Sequence, residues 1–108
     1  MKINIFGSTG IIGSVTLEII RNNFPDLKIN LLCANNNVYK LIKQIHIHSP
    51  KYVYLNNSKK INILKKNINN KTKILNYDEL LYYFIYYYLI FAFQYISSFF
   101  LIIIYLIF

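Results

Sequence analysis

Glycine occurs three times in this 108-residue chain, at positions 7, 10 and 13, directly behind a short apolar segment. This spacing suits a sharp turn from a strand into a helix. In such a turn Gly7 lets the chain leave the strand, Gly10 lets backbone approach a ligand, and Gly13 lets the helix pack closely. The amides and the positive dipole end of a helix beginning near Gly10 would then face an anion. The chemistry that this arrangement predicts is binding of a dinucleotide pyrophosphate.

The residues on either side of the glycines predict a strand, a turn and a helix. Residues 2–6 are typical of a short buried strand. Apolar side chains then follow at helical spacing at Ile12, Val15, Ile19 and Ile20. The G-x-x-G-x-x-G spacing is one residue wider at the front than the common dinucleotide-binding fingerprint. A tight strand-to-helix turn that binds nothing is the alternative interpretation.

The residue identities in and after the turn form a longer pattern. Residues 5–13 read Ile-Phe-Gly-Ser-Thr-Gly-Ile-Ile-Gly, and residues 16–21 read Thr-Leu-Glu-Ile-Ile-Arg. This pattern resembles the start of 1-deoxy-D-xylulose 5-phosphate reductoisomerase, whose usual forms are LGSTGSIG and TLDVIR. Residues 32–38 and 49–53 are similar to later segments of the same family, so the resemblance covers roughly residues 1–79.

The resemblance implies an NADPH-dependent enzyme of non-mevalonate isoprenoid biosynthesis. Family members isomerise 1-deoxy-D-xylulose 5-phosphate and reduce the product to 2-C-methyl-D-erythritol 4-phosphate, using a divalent metal (Mn or Mg), and they form homodimers. The metal ligands and substrate groups of the family have no counterpart in this sequence. We therefore expect the N-terminal NADPH-binding part only, truncated or frameshifted, which is inactive alone and does not form the family homodimer.

We expect the cofactor contacts in two segments, of which the resemblance itself implies residues 9–12 of the first and all of the second. They are the turn, with Gly7, Ser8, Thr9, Gly10, Ile11, Ile12 and Gly13, and the loop after the second strand, with Asn35, Asn36 and Asn37. Two positions depart from the family pattern. Ile11 replaces a serine whose hydroxyl could bond a phosphate oxygen, and Asn36 replaces a lysine whose charge suits the 2′-phosphate of NADPH.

The end of the second strand also indicates which cofactor is bound. An NAD site usually places Asp or Glu there to bind the ribose hydroxyls, whereas this strand ends in asparagines and the next acidic residue is Asp78. The missing carboxylate removes a repulsion against a 2′-phosphate, and Lys40 is a nearby candidate for positive charge. NADPH is therefore favoured over NADH. The alternative is that the asparagines form only a polar turn.

Strands and helices are expected to alternate over residues 1–79, which we predict to be one partial Rossmann-like domain. The pattern predicts strands at 2–6, 28–34, 52–55 and 73–75, and helices at 11–23, from near Asn37, and from a Ser58 cap to about Asn69. In the second helix one face carries Val38, Leu41, Ile42 and Ile45. This alternation predicts an α/β fold with a parallel sheet and flanking helices.

The charge of the chain is strongly positive, with 12 Lys or Arg against 4 Asp or Glu and a net charge of +8. The pairs Lys59-Lys60 and Lys65-Lys66 lie among apolar residues at helical spacing, which indicates a solvated face. Asn, Lys, Ile, Tyr and Phe are abundant, and their codons are AT-rich, so an AT-rich genome would explain much of the lysine excess without a binding partner. We therefore expect no nucleic-acid partner. Residues 2–6 are needed as the first strand and so are not part of a secretory signal peptide. We therefore expect a bacterial cytoplasmic location.

Residues 80–108 differ from the rest of the chain, since they contain no charged residue, glycine or proline. As a helix they would extend roughly 43 Å, longer than the roughly 30 Å apolar core of a bilayer. We therefore predict a long apolar, transmembrane-like C-terminal helix that begins near Asp78 and Glu79. Three interpretations of this tail stay open: a frameshift or truncation product, a membrane anchor, and a buried helix.

Few other residues are candidates for chemistry. His46 and His48 are two positions apart and so lie on different faces of a helix, and Cys33 is a lone cysteine in an apolar strand. We predict neither a catalytic residue nor a metal site in this chain. The alternatives to a reductoisomerase fragment are a fragment of another oxidoreductase with the same turn and a non-enzymatic membrane-associated remnant.

Overall fold

A computed structural model describes the backbone of residues 2–107 and, within that range, the side chains of all residues except 91, 95 and 97–107. The chain divides into two compact units, Met1–Tyr77 and Asp78–Phe108. The first unit contains the glycine turn and all four strands of the sheet, and the described residues of the second are helical.

A four-stranded sheet forms the centre of the first unit. Its strands, in the order in which they lie side by side, are β1 (Lys2–Phe6), β2 (Lys28–Ala34), β3 (Tyr52–Leu55) and β4 (Lys73–Ile74). Every neighbouring pair is parallel, which confirms the predicted parallel sheet. In the classic dinucleotide-binding order the fourth strand lies on the far side of the first. Here β4 pairs with β3, so β1 is an edge of the described sheet.

Three helices connect these strands: α1 (Ile11–Asn23), α2 (Val38–His48) and α3 (Ile61–Asn67). Each contributes buried side chains to a single core cluster that also contains residues of β1, β2 and β3. The three helices therefore pack on one face of the sheet. Each connection leads to the next strand on the same side, and crossovers of the usual right hand then place all their helices on one face. The predicted flanking helices are confirmed.

The helices α1 and α2 follow their sequence patterns to different extents. α2 buries Val38, Leu41 and Ile45 as its sequence predicts, whereas Ile42 is only partly buried. α1 buries Gly13, Leu17 and Ile20, whereas Ile12 and Val15 are exposed. The apolar spacing therefore predicts the helix correctly but not its buried stripe. The stripe that is buried contains Gly13, because this residue lies directly against the backbone of Gly7 and Ser8.

The connection between β3 and α3 differs from the prediction. A 3₁₀ turn, Ser58–Lys60, precedes the helix. Asn57 caps this turn, whereas the sequence predicts Ser58 as the cap of the helix. The Asn57 Oδ1 atom accepts a hydrogen bond from the Lys59 amide at 3.1 Å. An asparagine side chain that bonds the backbone two residues ahead stabilises a tight turn, and this local bond competes with an immediate helix start.

Residues 78–107 of the second unit lie in helix α4 (Tyr77–Ile107), which has Asp78 and Glu79 in its first turn. The prediction of a long apolar, transmembrane-like C-terminal helix is wrong. Among the described residues, no helical stretch is at once long enough and apolar enough to cross a membrane. Residues 77–88 contain six tyrosines, which make this part of the helix less apolar because each phenol hydroxyl costs free energy in hydrocarbon.

Replacing Leu41 by alanine is expected to lower the free energy of unfolding by about 2–5 kcal/mol, because this fully buried side chain would leave a cavity in the core. Ile47 lies on the same helix but is 52% exposed, so Ile47→Ala is a matched control with an expected change below about 1 kcal/mol. Urea denaturation followed by circular dichroism measures both changes. Equal destabilisation by the two variants would contradict this position of the core.

Candidate dinucleotide-binding site

The glycine turn (residues 7–13) and the asparagine loop (residues 35–37) leave the same edge of the sheet. Phe6 at the end of β1 is paired with Cys33 near the end of β2. The Ser8 amide donates a hydrogen bond to the Cys33 carbonyl oxygen at 2.9 Å. The carboxyl ends of parallel strands are the edge at which open α/β sheets bind ligands. The structure therefore brings both predicted segments to the edge where a ligand is expected.

Gly7 directs the chain out of β1. Its φ angle of +68° lies in the left-handed region, which glycine adopts without the strain that a Cβ would cause. The Gly10 amide donates to the Gly7 carbonyl oxygen at 3.0 Å and closes the turn. Thr9, between them, is partly buried. The backbone of the turn is therefore fixed before α1 begins.

Gly13 brings the first turn of α1 into direct contact with the glycine turn. A Cβ at this position would lie 2.2 Å from the Gly7 carbonyl oxygen and 2.7 Å from the Ser8 Cα. Real Cβ atoms do not approach backbone atoms so closely. Glycine is therefore the residue that permits this helix to pack where it does.

The amino end of α1 presents backbone donors at the glycine turn. The Ser14 amide makes the first helical hydrogen bond, to the Gly10 carbonyl oxygen at 2.9 Å, so the amides of Ile11, Ile12 and Gly13 precede any partner within the helix. The first turn of α1 contains no acidic residue. The positive end of the helix dipole is therefore available to an anion.

A groove of about 490 Å³ runs beside the glycine turn. It is lined by residues of β1, of the turn and of α1: Asn4, Ile5, Phe6, Gly7, Gly10, Ile11, Ile12, Gly13 and Thr16. The side chains of Ile11 and Ile12 are 82% and 80% exposed. None of these lining residues is charged, so an anion bound here would be held by backbone amides next to apolar surface.

Ser8 is fully buried within the turn. Its carbonyl oxygen accepts a hydrogen bond from Gln44 Nε2 at 2.7 Å, and this buried bond links α2 to the glycine turn. Within the part of the chain that the structure describes, the Ser8 hydroxyl and Gln44 Oε1 have no hydrogen-bond partner. A buried polar atom without a hydrogen-bond partner costs free energy of folding. A role in a binding site is one physical reason for keeping such an atom.

The sequence did not indicate Gln44 as a site residue. It lies on α2 between the apolar positions of the buried face, and its partner Ser8 is 36 residues away along the chain. A single polar residue on an otherwise apolar helical face is the one signal that could have drawn attention to it, because a buried amide needs a partner.

The asparagine loop is linked to the loop after β3 by amide–amide hydrogen bonds. Asn56 Nδ2 donates to Asn35 Oδ1 at 2.9 Å, and Asn57 Nδ2 donates to Asn36 Oδ1 at 2.7 Å. Because the Oδ1 atoms of Asn35 and Asn36 act as acceptors, their amino groups remain as donors. The loop is thus ordered by its neighbour and offers hydrogen-bond donors at the sheet edge.

Two lysines make hydrogen bonds to the asparagine loop. Lys40 donates its backbone amide to Asn37 Oδ1 at 3.1 Å, and Asn37 thereby caps α2. Lys60 donates from its Nζ to the Asn36 carbonyl oxygen at 3.2 Å. The sequence singles out Lys40 as the cation near the loop, whereas the contact in the structure is made by the ammonium of Lys60.

The remaining candidates for chemistry have ordinary surroundings. Cys33 is buried as predicted, and burial raises the pKa of its thiol to about 12. His46 Nε2 lies 2.9 Å from the Asn67 carbonyl oxygen. Burial and, second, the charge of Arg21 lower the pKa of His48. Within residues 2–107, as far as side chains are described, no group of three or more His, Cys, Asp or Glu is placed to hold a metal.

The family resemblance of the glycine turn is also found by comparison with known proteins. A family model described as 1-deoxy-D-xylulose 5-phosphate reductoisomerase matches residues 3–83. The chain belongs to the 1-deoxy-D-xylulose 5-phosphate reductoisomerase family. The resemblance predicted from the sequence is therefore confirmed, and neither another oxidoreductase with the same turn nor a membrane-associated remnant is favoured.

Individual reductoisomerases are similar to about two thirds of the chain. The reductoisomerase of Buchnera aphidicola is 40% identical over 70 residues, covering 65% of this chain and 18% of the relative. That of Pelagibacter ubique is 43% identical over 76 residues, covering 69% and 20%. A solved reductoisomerase from Zymomonas mobilis in complex with NADPH matches with a TM-score of 0.61 and 25% identity, covering 68% of this chain and 20% of that one. The chain thus spans about a fifth of the length of these reductoisomerases.

Gly13→Ala is expected to lower the free energy of unfolding by about 2–3 kcal/mol, because the added methyl group would overlap backbone atoms that cannot move aside cheaply. Gly10→Ala is the matched control: its Cβ would lie 3.3 Å from the Gly7 carbonyl oxygen, so a loss of about 1 kcal/mol or less is expected. Urea denaturation of the two variants measures the difference. A Gly13→Ala protein as stable as the unsubstituted chain would show that α1 does not pack on the turn.

Proposed function

We propose that this chain binds NADPH, as the cofactor-binding part of a 1-deoxy-D-xylulose 5-phosphate reductoisomerase. The observation that carries the proposal is the packing of α1 on the glycine turn through Gly13, which directs the amides of the first helical turn at an uncharged groove. The solved Zymomonas mobilis reductoisomerase that matches this chain is a complex with NADPH. Membership of the family supports the oxidoreductase class.

The two segments have different proposed roles. Gly7, Gly10 and Gly13 shape the turn, and the backbone amides of Thr9, Ile11, Ile12 and Gly13 bind the pyrophosphate, whereas the Gly10 amide closes the turn. Ser8 contributes its backbone geometry because its side chain is buried. The asparagine loop, residues 35–37, binds the phosphorylated ribose. The choice of NADPH is supported by the absence of Asp and Glu from positions 27–77 of the sequence, since no carboxylate would repel a 2′-phosphate there.

The reaction belongs to the complete enzyme. We propose that it is the isomerisation and reduction of 1-deoxy-D-xylulose 5-phosphate to 2-C-methyl-D-erythritol 4-phosphate, carried out by a homodimer in the bacterial cytoplasm with a divalent metal. When bound, NADPH supplies the hydride for the reduction. The described residues do not fit the metal, because they contain no suitable group of His, Cys, Asp or Glu side chains. The proposed share of this chain is cofactor binding.

We therefore expect the chain to bind NADPH but not to oxidise it when 1-deoxy-D-xylulose 5-phosphate and Mn²⁺ are added. Hydride transfer requires a substrate held against the nicotinamide, and the proposed residues hold only the cofactor. The loss of nicotinamide absorbance measures turnover, with the complete Zymomonas mobilis enzyme as the positive control. Measurable turnover by the chain alone would contradict this division of labour.

Ile12→Asp tests the phosphate site directly. Ile12 is 80% exposed, so an aspartate here costs no core packing, and an acid in the first turn of a helix stabilises it by about 0.3–1 kcal/mol. The same carboxylate would repel a pyrophosphate at the amides of α1. We expect NADPH affinity to fall by about tenfold or more while thermal stability is kept or slightly raised.

The matched control is Ile12→Asn, which has nearly the same shape and no charge. It is expected to retain NADPH affinity within about threefold of the unsubstituted chain. Titration of nicotinamide fluorescence measures both affinities. If aspartate and asparagine weakened NADPH binding equally, or if aspartate had no effect, the pyrophosphate would not lie at the amino end of α1.

A further inference from the structure

The asparagine loop lies in a part of the chain whose formal charges are all positive. Positions 27–77 contain lysines but no Asp or Glu. A cation that contacts the loop there is not neutralised by a carboxylate in this stretch of chain. At short range its charge therefore acts on whatever ligand the loop binds.

Lys60 is the lysine whose charged group reaches the loop. It ends the 3₁₀ turn Ser58–Lys60, which is capped by Asn57. Asn57 in turn donates to Asn36 Oδ1 at 2.7 Å. The ammonium of Lys60 donates to the Asn36 carbonyl oxygen at 3.2 Å. The side chains of Lys60 and of the capping residue Asn57 thus both donate hydrogen bonds to Asn36.

The Lys60 ammonium has donors to spare for a ligand. An ammonium carries three N–H groups, and the bond to the Asn36 carbonyl uses one of them. Lys60 is partly buried, whereas Asn36 is exposed. Partial burial strengthens the attraction between an ammonium and an anion relative to a fully solvated pair. The result is a cation held in place beside an open hydrogen-bonding loop.

We propose that Lys60 binds the 2′-phosphate of NADPH and is the residue through which the chain selects NADPH over NADH. This inference rests on the proposed binding of NADPH, and it adds the determinant of cofactor choice. The end of the second strand is where a dinucleotide site recognises the 2′ position of the ribose, and a cation there accommodates the phosphate. NADH lacks that phosphate and gains nothing from Lys60.

Lys40 is the competing candidate from the sequence. It lies in the first turn of α2, and the contact that the structure gives it at the loop is made by its backbone amide, which donates to Asn37 Oδ1. Its charge is therefore not brought to the loop by that bond. A selective effect of Lys60 substitution, but not of Lys40 substitution, is what distinguishes the two.

The test is the ratio of NADH to NADPH dissociation constants, measured by nicotinamide fluorescence on the full 108-residue chain. Lys60→Gln is expected to weaken NADPH binding by about tenfold and to leave NADH binding unchanged. Lys60→Arg, which keeps the charge, is expected to retain most of the preference. Lys59→Gln removes the same charge from the neighbouring exposed residue and is expected to leave the ratio unchanged. Circular dichroism confirms that each variant is folded.

Several results would overturn the assignment of Lys60. Equal weakening of NADPH and NADH would mean that Lys60 only supports the loop through Asn36. A loss of preference in Lys59→Gln as large as in Lys60→Gln would mean that overall charge is responsible. A loss confined to Lys40→Gln would transfer the role to Lys40. Failure of the unsubstituted chain to bind either cofactor would instead contradict the proposed NADPH binding itself, on which this assignment depends.

Discussion

The close approach of α1 to the glycine turn is the constraint on which the rest of the site depends. At Gly13 there is no room for a Cβ, since it would lie 2.2 Å from the Gly7 carbonyl oxygen. This contact turns the stripe of Gly13, Leu17 and Ile20 toward the sheet and leaves Ile12 exposed. It also places the first amides of the helix at the groove. One missing methyl group therefore determines both how α1 packs and what it presents to a ligand.

The site is assembled from loops that are distant in sequence but adjacent at one edge of the sheet. Parallel pairing of Phe6 with Cys33 brings the ends of β1 and β2 together. Gln44 then links α2 to the glycine turn by a buried hydrogen bond, and the loop after β3 holds the asparagine loop through Asn57. A ligand bound across this edge would contact segments that follow three consecutive strands, so its affinity depends on the sheet register as much as on the motif.

Much of the first unit could be predicted because its signals are local. The bounds of β1, α1, β2 and β3 follow from apolar runs, helical spacing and turn residues, each of which acts within a few positions of the chain. Two predictions failed where a competing effect was present. The Asn57 side chain replaced Ser58 as a cap and delayed the third helix. The tyrosines of α4 made the C-terminal helix less apolar than its lack of charge suggested.

The sequence by itself determined the glycine turn, the alternation of strands and helices, and the family, because glycine spacing and hydrophobic periodicity act through the local backbone. Only the tertiary structure decided which distant side chains meet that turn and the neighbouring loop. Gln44 is marked in the sequence only as one polar residue on an apolar helical face, and Lys60 is one lysine among many, so neither pattern shows what the residue contacts. Their contacts with Ser8 and Asn36 arise through strand order and register, which determine which loops lie side by side and which depend on contacts summed over the whole sheet.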